Sequence, residues 1–155
     1  MTQYALGQAG KPEMYDTALA TFDKLMGKFP QGKHLGDATF YRGECLYMRG
    51  KRQEAAGLYA QVLARFPTHK FAPDALYALG VVQEELGQTT AAAKTYDDFL
   101  ARFPENRLVP EVTMRRGLTL MAAGKYAEAI PWLANAAAKP GFPSADFALL
   151  RQADA

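Results

Sequence analysis

Apolar residues along this chain recur at intervals of three and four, the spacing that lines one stripe of an α-helix. In the segment 52–66, RQEAAGLYAQVLARF, Ala55, Tyr59, Val62, Leu63 and Phe66 follow that spacing. The preceding segment 37–49, DATFYRGECLYMR, is a second proline-free helical stretch and ends at Gly50. Glycine suits the left-handed residue that closes a helix. Pro67 stops the following helix, because proline lacks an N–H and its ring clashes with the turn before it. The predicted unit is helix, tight turn, helix, proline loop.

This unit returns. The triplets KFP at 28–30, RFP at 65–67 and RFP at 102–104 are spaced by 37 residues. At the same interval lie Gly43, Gly80 and Gly117; Gly50, Gly87 and Gly124; Ala18, Ala55, Ala92 and Ala129; Phe22, Tyr59, Tyr96 and Leu133; and Leu25, Val62, Phe99 and Ala136. Such self-similarity marks a repeat architecture. The triplet reads as the last buried residue of a second helix, the proline that ends it, and a cation placed where the helix C-terminus favours one. Gly43, Gly80 and Gly117 fall inside first helices, where glycine costs about 1 kcal/mol relative to alanine. Their recurrence predicts close approach of the paired helix, with Ala55, Ala92 and Ala129 or their neighbours filling the narrow contact.

The segment 74–104, DALYALGVVQEELGQTTAAAKTYDDFLARFP, resembles the tetratricopeptide repeat family, with Leu79-Gly80, Gly87, Ala92, Tyr96, Phe99 and Pro104 at that family's spacings. The resemblance implies an all-α solenoid of helix-turn-helix units forming a right-handed superhelix. Three full repeats (33–69, 70–106, 107–140) would be flanked by partial units at 1–32 and 141–155, all in one domain. The usual unit has about 34 residues; here three more lie between the proline and the next first helix. This longer variant, with wording such as RFPTHKFAPDALYALG, is similar to bacterial cell-envelope repeat proteins, among them the Tol-Pal coordinator and the lipoprotein of outer-membrane barrel assembly. The resemblance favours a periplasmic or envelope location, with a cytoplasmic one compatible. Arg42 and Arg116 depart from the pattern at the position of Leu79. Either their stems pack while their heads reach water, or they mark a binding surface. Pro131 is expected to bend the last second helix or remove a backbone bond from it. Trp132 would cover an end of the solenoid or meet something beyond it.

The terminal units read as incomplete. QYALGQAG resembles the tail of a first helix, and MYDTALATFDKLMGKF a complete second helix behind an inserted KPE. FPSADFALLRQADA starts a further helix, with Ser144 as N-cap. Solenoids normally close with dedicated caps, and neither end resembles one, so the expectation is a piece cut from a longer protein.

Composition narrows the chemistry. The 155 residues carry a net charge of +2, and no run of apolar residues is long enough to span a membrane. Nothing in the chain patterns like a nucleic-acid stripe of cations and aromatics. His34 and His69 stand 35 apart, out of register, with no co-ligands at metal spacing, and read as solvated loop residues. Cys45, the single cysteine, reads as a small buried packing residue. Asp37 with Glu54, and Asp97 with Asp98, read as solvated helix faces, and Lys51-Arg52 and His69-Lys70 as solvated turns. LGQAG lacks the Gly-Lys-Ser/Thr ending of a phosphate loop. No catalytic residue, metal or cofactor is expected.

What remains is binding. The concave face of a solenoid is its usual contact surface, and the resemblance implies that first helices line it. That gives three columns: Phe40, Tyr77 and Met114; Glu44, Val81 and Leu118; Tyr47, Glu84 and Met121. Asp37, Asp74 and Glu111 head the three helices, where they also complement the helix dipole. The alternative for Phe40, Tyr77 and Met114 is packing between units. As a groove, the face would be acidic with aromatic and methionine anchors, suited to a partner polypeptide carrying basic and apolar residues. A non-enzymatic interaction scaffold is the expected function. Self-assembly through unfinished ends, or service as an accessory domain of an enzyme, are the alternatives.

Overall fold

The computed structural model describes residues 13–154. Eight α-helices run through them: α1 Glu13–Lys28, α2 Leu35–Met48, α3 Arg52–Arg65, α4 Ala72–Glu85, α5 Thr89–Arg102, α6 Val109–Ala122, α7 Tyr126–Ala137 and α8 Ala145–Ala153. The first helices α2, α4 and α6 begin 37 residues apart, and so do the second helices α3, α5 and α7. The predicted α-helical hairpins are therefore present and in register. The QYALGQAG stretch lies outside the described residues. The chain falls into two compact units, Met1–Val82 and Gln83–Ala155, with the division inside α4.

Each hairpin turn is made the same way. Gly50, Gly87 and Gly124 have φ of 75°, 71° and 71°, the left-handed region open to glycine at no steric cost. The next residue's N–H then reaches back five positions: Lys51 to the Leu46 carbonyl, Gln88 to Gln83 and Lys125 to Leu120, at 2.8–2.9 Å. This is the Schellman closure, which satisfies carbonyls that a helix end would leave unpaired.

The loops between hairpins repeat as well. The His69 N–H donates to the Phe66 carbonyl and Ala72 N–H to His69; in the next loop Asn106 donates to Phe103 and Val109 to Asn106. Pro67 and Pro104 thus occupy the second position of a tight turn, where proline's fixed φ is preset. Phe66 and Phe103, each before a proline, leave the helical region at φ −134° and −130°. These phenylalanines are half-buried and Phe29 is exposed, so they are not the last buried residues of their helices. Instead the preceding cation lies over each ring: Lys28 at 5.5 Å from the Phe29 centroid, Arg65 at 5.4 Å from Phe66, Arg102 at 5.2 Å from Phe103. At exposed sites such contacts contribute about 0.5–1 kcal/mol each.

In the first unit the core is built on Ala55, Tyr59 and Val62 of α3, all fully buried. A Cβ on Gly43 would stand 2.9 Å from Cε1 of Tyr59, so the glycine is what lets that ring lie flat against α2. In the second unit Ala92, Tyr96 and Phe99 of α5 and Ala129, Leu133 and Ala136 of α7 are fully buried. A Cβ on Gly117 would meet Leu133 Cδ2 at 3.0 Å and Trp132 Cβ at 3.1 Å. The residue facing the glycine is therefore the Tyr59/Leu133 column and not the alanine column. Pro131 sits on the exposed side of α7, which continues through it, so the lost backbone bond faces water. Ser144 occupies the N-cap position of α8, but its side chain makes no capping bond.

Candidate functional site

The predicted binding columns fall in both units. In the first, Phe40 is buried at 7 % exposure, stacked on Phe71 with centroids 4.6 Å apart and flanked by Tyr59 at 6.1 Å. Glu44 is half-buried and accepts the Tyr59 hydroxyl at 2.6 Å. Tyr47 is half-buried beneath the Arg52 guanidinium, 3.9 Å from its ring centroid, and Arg52 also donates to the Tyr47 carbonyl. Arg52 is thus tied to α2 and is no solvated turn residue. Tyr77 and Val81 on α4 are half-buried.

In the second unit Glu84 accepts the Tyr96 hydroxyl at 2.8 Å and the Arg115 guanidinium at 2.8 Å. Arg115 also binds Glu111 at 2.9 Å, one turn before it on α6. Met114 is buried, 5 % exposed, in a cluster with Leu120, Leu133 and Ala136; Leu118 and Met121 pack against that cluster from a partly exposed position. Two of the nine expected site residues, Phe40 and Met114, are therefore core. The other seven are half-buried and within reach of solvent.

The carboxylates at the helix heads are engaged within the chain. Lys70 Nζ lies 2.7 Å from Asp37 Oδ1, and Glu111 holds Arg115. Burial alone would raise the Asp37 pKa, but the bond and charge of Lys70, then the His69 and His34 imidazoles, take it below the usual carboxylate value. The expected acidic character of this face is thus largely compensated at Asp37, Glu84 and Glu111.

Two departures from the repeat pattern resolve into ion pairs. Arg42 Nε lies 2.7 Å from Asp23 and Arg116 Nε 2.7 Å from Asp97. Asp23 and Asp97, like Arg42 and Arg116, are two periods apart, and the intervening period carries Ala60 and Leu79. The guanidinium of Arg116 also lies 5.2 Å from the Trp132 ring. The Trp132 side chain is half-buried against its own unit, and Asp97 is exposed on its helix face as expected while it pairs with Arg116.

His69 also differs from expectation. Its side chain is 18 % exposed and packed on Gly36, where a Cβ would meet its ring at 2.8 Å. Its Nδ1 accepts the Phe71 N–H at 3.2 Å, as Asn106 Oδ1, one period later, accepts the Leu108 N–H at 2.9 Å. His69 is a turn-forming residue and not a solvated one, whereas Lys70 beside it is exposed as expected while pairing with Asp37. His34 is well exposed. Cys45 is buried as expected; burial, then the Glu44 charge, pushes its thiol up to about 12. Among the described residues no group of three or more His, Cys, Asp and Glu is placed to hold a metal ion, and no helix is long and apolar enough to cross a membrane.

A tetratricopeptide repeat model matches residues 5–70, 49–107 and 77–143. The chain belongs to the tetratricopeptide repeat family. Two solved structures of a candidate kinesin light chain of Podosopora anserina, composed of nearly identical tetratricopeptide-like repeats, share the fold. One, a point variant of that protein, has a TM-score of 0.79 at 16 % identity over 98 % of this chain and 84 % of its own. The other has a TM-score of 0.75 at 16 % identity over 98 % and 82 %. No curated protein is significantly similar in sequence. Repeats of this family are in general non-catalytic scaffolds for protein–protein interaction.

Proposed function

We propose that this chain is a non-catalytic scaffold that binds a partner polypeptide through the exposed flanks of its first helices. The observation that carries this reading is the set of half-buried side chains on those helices: Tyr47 and Tyr77 in one unit, Leu118 and Met121 in the other. Aromatic rings and methionine give large, adaptable contact area at modest entropic cost. Basic residues of the partner would compete with Arg115 for Glu84, so apolar anchors contribute most of the affinity. The test is binding of a basic, apolar peptide to the wild type and to a Tyr77→Ala, Glu84→Lys variant; equal affinities would remove the proposal. The 37-residue period and the RFPTHKFAPDALYALG wording support a place among bacterial envelope scaffolds, which fractionation of the parent protein would check.

A second reading, self-assembly, draws on apolar side chains exposed on the first and last described helices: Leu25 and Phe29 on and after α1, and Phe147, Leu149 and Leu150 on α8. Leu25 is the register equivalent of the fully buried Val62. Light scattering over a concentration series separates the two, since only self-assembly makes the mass grow.

A further inference from the structure

We propose that the first unit carries a second binding site, a basic cleft between the loop before α2 and the loop after α3, which takes an acidic segment of a partner protein. The cleft is a shallow, open depression of about 650 Å³ lined by Lys33, His34, Arg65, His69 and Lys70 around a single carboxylate, Asp37. Three permanent cations thus face one anion, in a chain whose whole net charge is only +2. Charge elsewhere is balanced, and the positive excess is gathered here.

The cleft is built in advance of any ligand. The His69 ring is held by the Phe71 N–H and by close contact with Gly36. Its Nε2 and the Nδ1 of His34 lie 3.7 and 3.6 Å from Asp37 Oδ2, while Lys70 sits 2.7 Å from Oδ1. Arg65 is steadied over the Phe66 ring, and Lys70 lies 4.9 Å from the Phe71 ring centroid. Fixed cations lose less entropy on binding than free ones. Lys33 and Arg65 are exposed at the rim, where they can meet incoming carboxylates. Phe66 and Pro67 on the wall offer apolar contact to a polypeptide side chain, and the cleft has no pair of open aromatic faces on which nucleic-acid bases would stack. The later loops lack this composition: the register equivalents of His34 and His69 are Phe71 and Asn106, then Leu108 and Pro143. The site lies in loops, off the first-helix flanks, and stands or falls independently of the scaffold surface proposed above.

The experiment uses the whole chain and a labelled peptide rich in aspartate and glutamate, titrated at low salt. Lys33→Glu with Arg65→Glu is expected to weaken binding about tenfold or more, the sum of two exposed charge pairs replaced by repulsions. The milder pair Lys33→Gln with Arg65→Gln should weaken it less, and Asp37→Asn should strengthen it. Equal affinity of wild type and charge-reversed variant overturns the proposal, as does an absence of binding at low salt. Tighter binding of inorganic phosphate or a single-stranded oligonucleotide than of the peptide overturns the choice of partner.

Discussion

The Tyr96 hydroxyl donates to Glu84 at 2.8 Å, tying the second helix α5 to the first helix α4. The same carboxylate oxygen takes Arg115 from α6. One period earlier Tyr59 makes the matching bond from α3 to α2, but to Glu44, whose register equivalent is Val81 and not Glu84. The phenol is kept in place, and its acceptor has moved by one helical turn. Tyr96→Phe is expected to cost about 1.5–3 kcal/mol, the range for a hydrogen bond to a charged group, read as a lowered urea midpoint. An unchanged midpoint would mean that this bond contributes nothing beyond what water supplies.

Glycines on the two helices of one hairpin should respond with opposite signs. Gly57, exposed on α3, has nothing within 4 Å of the place a methyl would take, so Gly57→Ala should add about 0.5–1 kcal/mol from helix propensity alone. Gly43→Ala gains the same propensity but drives a methyl to 2.9 Å from the Tyr59 ring, an overpacking that costs about 1–3 kcal/mol. Thermal unfolding of the two variants checks the ordering.

Arg116 is only 17 % exposed, so its charge depends on Asp97 and on the Trp132 ring. Asp97→Ala alone should destabilise by about 1 kcal/mol or more, because it strips a partly buried cation of its carboxylate. Asp97→Ala together with Arg116→Leu reproduces the Ala60 and Leu79 found one period earlier and should recover most of that loss. A double-mutant cycle that came out additive would show the two positions to be uncoupled.

With its pKa near 12, Cys45 holds almost no thiolate at neutral pH and is shut off from solvent. Its reaction with a thiol reagent should be slow in the folded chain and rise steeply with denaturant, following global unfolding. Rapid labelling without denaturant would indicate local opening between α1 and α2, where Cys45 packs with Tyr15 and Ala18.

Asp37 has a pKa below the usual carboxylate value, so its ion pairs stabilise the fold above the unfolded value of about 3.9. That contribution is lost as pH falls through the still lower folded value. The stability difference between wild type and Asp37→Asn should persist at pH 5 and shrink only below about pH 4. A difference that disappeared already near pH 6 would show that the Asp37 carboxylate is not its source.

The helices and their turns were legible because local rules fix them. Glycine at a left-handed position, proline at the head of a tight turn and a three-four apolar spacing each act within a few residues. Partner choice across helices was not. Nothing in the chain pairs Arg116 with Asp97 until α5 and α6 are laid side by side, and both arginines read only as misfits in an apolar column. The glycine column announced a close approach without saying that Tyr59 and Leu133 make it. His69 read as a loop histidine because it stands out of register with His34 and has no co-ligand at metal spacing; that it and Asn106, one period on, do the same job through a side-chain acceptor shows only in the folded turns. On the candidate binding face, Phe40 and Met114 shared the spacing of the exposed positions and were separated from them only by packing.

The common φ of Gly50 and Gly87 has a last consequence. Each glycine is followed by a residue that closes the same five-back bond, so Gln88 can stand where Lys51 does without any adjustment of the backbone. Excising residues 51–87 would rejoin the chain at a seam it already contains, and duplicating them would add a hairpin at an identical seam. Length in this protein is a countable variable, open to genetic gain or loss of whole cassettes.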